Sequence, residues 1–307
     1  MRVSTCTQNL QAIHRKETSM KTLVLANQKG SVGKTAVATL LAYYLAERSQ
    51  RVLAIDLDHQ GNFSKPLRLS GRAVVTPFTA DMLMVGPVAN LPHQLSHPLV
   101  LVPSERALLG LERQPQMHTP FARSFRSFLE SVDAQFDVCV IDTNPNPDIR
   151  LIAALASADF VLLPIQLNQE AMDGVNALLN HDRVGVRKIK AVLNPKLQLM
   201  GLLPTLVESN PFQKANFVQV IQQYGPLMFQ VRSLPGQFAF LPRRSVIAEA
   251  QANGEVLWHM KKTAARDAWK EIEPGMVRIA ALLTASAAEA SATAAVTNAG
   301  GSHATAT

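Results

Sequence analysis

Short apolar runs alternate along the chain with segments whose apolar residues recur every three or four positions. The runs favour buried strands and the wider spacing favours helices, so together they predict an α/β fold. Predicted strands lie at residues 21–27, 51–58, 97–104, 136–142, 159–166, 189–195 and 199–209. Predicted helices cover 35–48 and 119–132, begin near 149 and 170, and continue over 211–224 and over two parts of 245–283 around Gly254. We expect a three-layer, doubly wound, mostly parallel sheet with helices on both faces.

The two ends of the chain lack this periodicity. Residues 1–19 are polar and aperiodic, and residues 285–307 are rich in Ala, Ser, Thr and Gly. Neither end has the bulky apolar side chains that a core requires, so we expect both to be disordered around one domain at 20–284. Met20 is a second candidate for the start of translation.

Composition indicates a globular protein. Hydrophobic residues make up 47% of the 307 residues, enough for a sizeable core. Thirty Lys and Arg against 23 Asp and Glu give a formal charge of +7, which fits either a polyanionic partner or a generally basic surface. Cys6 and Cys139 lack metal-ligand spacing, and no apolar run is long enough to span a bilayer. We therefore expect a cytoplasmic protein with reduced thiols.

The loop between the first predicted strand and helix has the sequence NQKGSVGKTA, Asn27 to Ala36. A glycine-containing turn that leads into a helix directs backbone N–H groups and the positive end of the helix dipole toward one point, where phosphates bind. Lys34 would reach the β- and γ-phosphates, and the Thr35 hydroxyl would ligate Mg²⁺. The motif predicts ATP and Mg²⁺ as cofactors. The predicted nucleotide-binding residues of the loop are Lys29, Gly30, Ser31, Val32, Gly33, Lys34, Thr35 and Ala36.

Three aspartates stand at the ends of apolar strands. Asp56 and Asp58 occupy alternate positions after one strand, so both side chains can face the phosphate loop. Asp142 ends the run VCVID, as the aspartate of a Walker B motif does when it holds Mg²⁺ through water. Helix capping or turn formation is the alternative for each aspartate alone. With Thr35, we predict that Asp56 and Asp142 form a magnesium site.

Five segments occur in the order found in the ParA/Soj ATPases, which partition plasmids and chromosomes. They are NQKGSVGKT, VLAIDLDHQGN, FDVCVIDTNPNPD, ADFVLLPIQLNQEAMDGV and FLPRRSVIAEAQANG, and the resemblance covers about residues 20–283. The later segment WHMKKTAARDAWKEIE is similar to the IncC branch of this family. The resemblance implies a P-loop NTPase with a deviant Walker A loop, whose ATP hydrolysis is slow and stimulated by a partner.

The resemblance also implies why the loop has two lysines. In the family, the lysine at the Lys29 position crosses a dimer interface to the partner's nucleotide, so Lys34 would serve its own ATP and Lys29 its neighbour's. By the same analogy Asp58 would orient the attacking water, and Asp56 would support the magnesium shell. The implied catalytic residues are therefore Lys29, Lys34 and Asp58.

Further implied contacts lie later in the chain. Those around adenine come from VESNPF, with Asn210 and Pro211, and from FLPRR, with Leu241 and Pro242, although Asn-Pro is also an ordinary helix start. Basic residues would bind double-stranded DNA without sequence preference by neutralising phosphates, with a solvated helix face as the alternative for any one cluster. The implied DNA-binding residues are Arg183, Arg187, Lys188, Lys190, Arg243, Arg244, Lys261, Lys262 and Arg266.

The predicted function is an ATP-dependent homodimer that binds DNA on the nucleoid and segregates plasmid or chromosome copies with a ParB-type centromere-binding partner. A MinD-like membrane ATPase is one alternative, but the alanine-rich tail offers no basic amphipathic helix. A metabolic or redox enzyme on the same fold is another, but the sequence lacks paired cluster cysteines. Three departures from the family pattern bear on the hydrolysis rate: Ser31 replaces a glycine and restricts the backbone, His59 replaces a proline, and TNPNPD replaces a proline pair.

Overall fold

A computed structural model describes residues 19–88, 98–168, 170–231 and 237–285, so nearly all of the two predicted disordered ends lies outside the described residues. The strands are β1 (Lys21–Leu25), β2 (Val52–Asp56), β3 (Val74–Val75), β4 (Leu99–Val102), β5 (Val138–Asp142), β6 (Phe160–Gln166), β7 (Gln198–Val207) and β8 (Leu241–Pro242). The helices are α1 (Lys34–Ala46), α2 (Ser64–Leu69), α3 (Met82–Val85), α4 (Leu108–Leu111), α5 (His118–Val132), α6 (Ile149–Ser157), α7 (Ala171–Asn180), α8 (Val186–Val192), α9 (Pro211–Tyr224), α10 (Ser245–Asn253) and α11 (Thr263–Thr284).

All eight strands belong to one sheet, in the order β3-β4-β2-β5-β1-β6-β7-β8. Each of its seven strand pairs is parallel, because a crossover segment returns the chain to the same edge before the next strand begins. The predicted α/β fold with a doubly wound parallel sheet is confirmed.

Two apolar cores lie on opposite faces of the sheet. In β5, Val138 and Val140 face the core beneath α1, α2, α10 and α11, whereas Cys139 and Ile141 face the core beneath the helices from α3 to α9. Alternate side chains of a strand point to opposite faces, so a strand covered on both sides is apolar at every position. Cys139 is fully buried, and a buried thiol of this kind behaves as a small hydrophobic residue.

The predicted strand at 189–195 is wrong, because this segment contributes to helix α8. Only Val186 and Ile189 of α8 are buried, three positions apart, while Val192 and Leu193 are 61% and 45% exposed. An apolar run of this length is ambiguous between a strand and a short helix. The buried Asn194 ends the segment by donating to the carbonyl oxygens of Leu155 and Ala158, so it is anchored against the end of α6 rather than paired with a strand.

The sequence pattern did not predict the two-residue strands β3 and β8 at the edges of the sheet. The edge strand β8 pairs with β7 across an irregularity between Thr205 and Val207. Leu206, at that irregularity, has a φ of 53°, a left-handed conformation that is rare for a bulky side chain. In the described ranges no helix is both long enough and apolar enough to cross a membrane.

Candidate nucleotide site and basic surfaces

The three central strands bring the predicted site residues together. β5 lies between β2 and β1, and its last residue Asp142 is in register with Asp56 of β2 on one side and with Leu25 of β1 on the other. The phosphate loop follows β1 directly. Since parallel strands end at the same edge of a sheet, Asp56, Asp142 and the loop share one crevice, the usual ligand position in such folds.

Lys34 lies inside the loop. Its side chain is buried, and Nζ donates to the carbonyl oxygens of Asn27 at 3.1 Å and Lys29 at 3.2 Å. Burial lowers the pKa of Lys34, although the Asp142 and Asp58 carboxylates oppose that shift. A buried ammonium group whose hydrogen-bond partners among the described residues are carbonyl oxygens has the environment expected of a lysine that also binds phosphate oxygens.

Thr35 and Asp142 form a second buried contact. Thr35 Oγ1 donates to Asp142 Oδ2 at 2.6 Å, whereas the buried Oδ1 of Asp142 has no hydrogen-bond partner in the described part of the chain. Burial, and then the negative charge of Asp56, raise the pKa of Asp142 to about 8. A buried carboxyl oxygen without a donor is destabilising unless a cation or an ordered water completes it.

Asp56 is fully engaged by its own chain. Its Oδ2 accepts from the backbone N–H and the hydroxyl of Ser64, at 2.8 and 2.7 Å, and its Oδ1 accepts from the backbone N–H of Asp58. Burial raises the pKa of Asp56 to about 6. Asp56 therefore fixes the start of α2, and its part in a magnesium site stays a prediction.

The carboxylate of Asp58 accepts fewer hydrogen bonds than that of Asp56 among the described residues. It is 8% exposed, its Oδ1 accepts from the backbone N–H of Gln60, and His59 Nδ1 lies 3.3 Å from the same oxygen. His59, which replaces the proline of the family pattern, thus stands beside the carboxylate that is expected to orient water.

The site carries more negative than positive charge and fits a divalent cation. The carboxylates of Asp56, Asp58 and Asp142 all lie close enough to influence one another, and Lys34 is the buried cation among them. Among the described residues, no group of three or more His, Cys, Asp and Glu side chains could hold a metal alone. Mg²⁺ commonly binds one or two carboxylates together with water and phosphate oxygens. The Thr35 hydroxyl and the Asp142 carboxylate could supply the protein ligands of such a site.

Residues outside the motif hold the loop in shape. Thr205 Oγ1 donates to the carbonyl oxygen of Val32 at 2.6 Å, and Gln166 Nε2 donates to that of Ser31 at 2.9 Å. Asn27 Nδ2 donates to the carbonyl oxygen of Pro164. The sequence pattern gave no sign of these contacts, because they join the loop to β6 and β7, far along the chain.

Ser31 and Gly33 both have left-handed backbone angles. Their φ values are 57° and 82°. Gly33 adopts this conformation without steric strain, whereas the Cβ of Ser31 makes it unfavourable. The departure from glycine at position 31 therefore has the backbone consequence expected from the sequence.

The segment TNPNPD ends by capping α6. Asp148 accepts from the backbone N–H of Arg150 at 3.0 Å and from its guanidinium group, and it also accepts from Asn144 Nδ2 at 3.0 Å. All three side chains are buried. The segment that departs from the family pattern thus forms a buried polar cluster shortly after Asp142.

Lys29 has an environment unlike that of Lys34. Its side chain is 44% exposed, and Nζ lies 2.6 Å from Glu170 Oε2, next to the start of α7. The backbone N–H of Lys29 donates to Asn27 Oδ1, which turns the chain outward at this point. The two lysines therefore point in different directions, one into the phosphate loop and one away from it.

The residues expected around adenine have local partners. Asn210 Oδ1 accepts from the backbone N–H of Gln213 and caps α9, and its Nδ2 lies 3.3 Å from Glu208 Oε2. Pro211 is the first residue of α9, and Pro242 ends β8 beside the strained Leu206. The helix-start alternative thus describes Asn210 in this structure. Leu241, the residue before Pro242, lies beside Gly33 of the phosphate loop together with Thr205.

The basic residues expected to bind DNA form two separate groups. Arg183, Arg187, Lys188 and Lys190 lie on or just before α8, on the face of the sheet covered by α3 to α9. Arg243, Arg244, Lys261, Lys262 and Arg266 lie near α10 and the start of α11, on the other face. One subunit therefore does not bring them into a single patch.

Acidic residues neutralise several of these cations. The pairs Arg183–Glu112 and Arg244–Glu271 both have distances of 2.7 Å, Arg243 lies 3.3 Å from Glu208, and Lys262 pairs with Glu249. Within the described ranges, no hydrogen bond or ion pair involves the side chains of Lys188, Lys190 or Lys261.

Fold and site together define a P-loop nucleotide-binding protein with a second, outward-facing lysine in its loop. A family model described as an AAA domain matches residues 20–199. Protein IncC of Escherichia coli is 35% identical over 272 residues, which cover 83% of this chain and 67% of IncC. The chromosome-partitioning ATPase Soj of Thermus thermophilus is 30% identical over 240 residues, which cover 78% and 87% of the two chains. The chain belongs to the family of IncC, Soj and ParA partition ATPases.

A solved structure shows a comparable fold with ligands. Cobyrinic acid a,c-diamide synthase from Mycobacterium smegmatis, with bound ADP and magnesium, is 28% identical at a TM-score of 0.59. The similarity covers 76% of this chain and 91% of the synthase.

Proposed function

We propose that this chain is an ATP-dependent partition switch. It binds ATP and Mg²⁺, associates into a homodimer, and in that state binds DNA without sequence preference. A ParB-type partner then stimulates a slow hydrolysis that releases the dimer, and repeated cycles on the nucleoid move plasmid or chromosome copies apart. The observation that carries this proposal is the contrast between the buried Lys34 and the outward Lys29 in one phosphate loop.

Each loop lysine has a role that follows from its environment. Lys34 and the backbone N–H groups from Gly30 to Ala36 bind the nucleotide of the same subunit. Mg²⁺, held by the Thr35 hydroxyl and through water by Asp142, neutralises phosphate charge. Lys29 offers its ammonium group to the nucleotide of a second copy. A cation supplied in trans favours the dimer only when the triphosphate charge is present.

Asp58 is the residue best placed to orient the attacking water. Its Oδ1 accepts from the backbone N–H of Gln60 and lies beside His59, whereas among the described residues no hydrogen bond involves its Oδ2, which is therefore available to water. The strained backbone at Ser31, in the loop that would hold the phosphates, supports slow turnover.

Two loop variants test the nucleotide and dimer roles. Lys34→Ala should abolish ATP binding in calorimetry. Lys29→Ala should bind ATP and Mg²⁺ about as well as the wild type, yet remain monomeric in light scattering and fail to bind DNA. Asp58→Ala should bind and dimerise without turnover. If Lys29→Ala dimerises and binds DNA like the wild type, the role in trans is wrong.

For DNA, we propose that the unpaired cations contribute most. Lys188 and Lys190 of α8, and Lys261 before α11, need not leave a carboxylate to reach a phosphate. Each phosphate contact changes the slope of log affinity against log salt by about 0.9, so losing two lysines from both copies of a dimer lowers the slope by up to about 3.6.

The DNA assay compares two variants by fluorescence anisotropy with a duplex of arbitrary sequence. Lys188→Ala with Lys190→Ala, and Arg244→Ala with Lys261→Ala and Lys262→Ala, should each leave the ATP-dependent dimer intact and lower the salt slope. Measurements at several salt concentrations separate the loss of phosphate contacts from misfolding. Wild-type slopes in both variants would remove these surfaces from the proposal.

A further inference from the structure

The phosphate loop is joined to the start of α7 by a contact between opposite charges. Lys29 Nζ lies 2.6 Å from Glu170 Oε2, where Glu170 is the residue directly before α7. Neighbouring contacts between the loop and this region use neutral groups: Gln28 Nε2 donates to the carbonyl oxygen of Ala177, and Gln166 Nε2 to that of Ser31. The ion pair is therefore the contact that a phosphate group could replace.

The exposure of the pair makes it exchangeable. The side chains of Lys29 and Glu170 are 44% and 74% exposed, and the ammonium group lowers the pKa of Glu170. Solvent-exposed ion pairs are weak because water screens them and because both side chains lose freedom. A more highly charged anion can displace such a carboxylate, whereas a weaker anion cannot do so as readily.

We propose that Glu170 is a latch that holds Lys29 within its own subunit and sets how much phosphate charge is needed before two copies associate. This inference rests on the proposed function, in which Lys29 contacts the nucleotide of the partner. In the latched state, Lys29 must exchange one carboxylate for phosphate oxygens. The triphosphate, whose Mg²⁺ is bound by Thr35 and Asp142 and not by Lys29, supplies enough negative charge for that exchange. The diphosphate supplies less, so Glu170 favours association with ATP over association with ADP.

The size of the effect follows from the kind of ion pair. One exposed pair changes an equilibrium by roughly two- to five-fold. A symmetric dimer uses Lys29 twice, so both latches must open, and the two factors multiply. Removing the carboxylate charge should therefore tighten the dimer by roughly four- to 25-fold.

The test uses sedimentation velocity of the full chain with Mg²⁺ and a non-hydrolysable ATP analogue. Glu170→Gln keeps the size and polarity of the side chain and should lower the dimer dissociation constant by the stated factor. It should also produce a dimer with ADP at protein concentrations where the wild type is monomeric. Asp173→Asn is the matched control, because Asp173 is an exposed acid in the first turn of the same helix and removes the same charge.

Repeating the measurement in the Lys29→Ala variant distinguishes failure of the latch from failure of the proposed function. With Lys29→Ala already present, Glu170→Gln should give no gain. Unchanged or weaker association of Glu170→Gln overturns the latch, even when Lys29→Ala alone is monomeric and the proposed role in trans stands. An equal gain in Asp173→Asn, or a gain that persists without Lys29, also overturns it, because either one would show a general effect of charge. A dimer of normal strength in Lys29→Ala alone would instead contradict the proposed function, and the latch with it.

Discussion

Ser31→Gly should stabilise the protein, because the serine has a backbone conformation that suits glycine. Its φ is 57° and its side chain is exposed, so the replacement removes steric strain without uncovering a core. A left-handed conformation costs a non-glycine residue about 1–2 kcal/mol. The greater freedom of glycine in the unfolded chain offsets about 0.4–1 kcal/mol of that gain. The expected net increase in the free energy of unfolding is about 0–1.6 kcal/mol, centred on about 0.8 kcal/mol, or about 2–3 °C in melting temperature at that centre.

Ser49→Gly is a close control for this prediction. Ser49 has a φ of 60°, is exposed, and follows the end of α1, away from the phosphate loop. Hydrogen bonds from either serine hydroxyl are absent within the described residues, so both replacements act through backbone strain and through the freedom of the unfolded chain. Thermal and urea unfolding should show similar gains for both variants.

The two variants should differ in turnover. Ser31→Gly frees the backbone that cradles phosphates and should raise the ATP hydrolysis rate, whereas Ser49→Gly should leave it unchanged. The reasoning is refuted if Ser49→Gly stabilises the protein and Ser31→Gly does not. It is refuted in its functional part if both variants hydrolyse ATP at the wild-type rate.

Three further predictions concern stability. The pKa of Asp142 is raised to about 8, so the folded protein retains a proton that the unfolded chain has lost above about pH 4. Without Mg²⁺, the free energy of unfolding should therefore fall as pH rises from about 4 to 8. Asp142→Asn should make this pH dependence smaller. It should also weaken the binding of Mg²⁺ and ATP in calorimetry. Gly254→Ala should destabilise by about 2–4 kcal/mol in urea, because φ is 69° and the new Cβ would lie 2.6 Å from α2, whereas Gly110→Ala, in open space, should not destabilise. Removing residues 1–18 and 286–307 should leave the melting temperature and ATP binding nearly unchanged; a fall of several degrees would contradict the proposed domain limits.

The sequence alone was enough for the fold class and for the nucleotide-site hypothesis. Strand and helix periodicity is a local property, as is the sequence from Gly30 to Thr35 that leads from a strand into a helix. Aspartates at the ends of apolar strands, such as Asp56 and Asp142, are also visible without a structure. What the pattern could not supply was the strand order, which places β5 between β2 and β1 and so brings these aspartates beside the loop.

The conformation of short segments and the partners of side chains became known only from the tertiary structure. The run at 189–195 suits either a strand or a helix, and its place against α6, through Asn194, decided for a helix. The sequence at Asn210 allowed both an adenine contact and a helix start. The hydrogen bond that Asn210 accepts from the Gln213 N–H shows that it caps α9, and the adenine contact stays a prediction.

The pairing of charged side chains is the property that the sequence predicted least well. A cluster of arginines and lysines in the sequence does not reveal that Arg244 faces Glu271, or that Lys29 faces Glu170, 141 residues further along the chain. Electrostatic interactions depend on distance in space, and that distance is fixed only when the elements pack. The sequence therefore determined which charged groups the protein has, whereas the fold decided which of them are paired within the subunit.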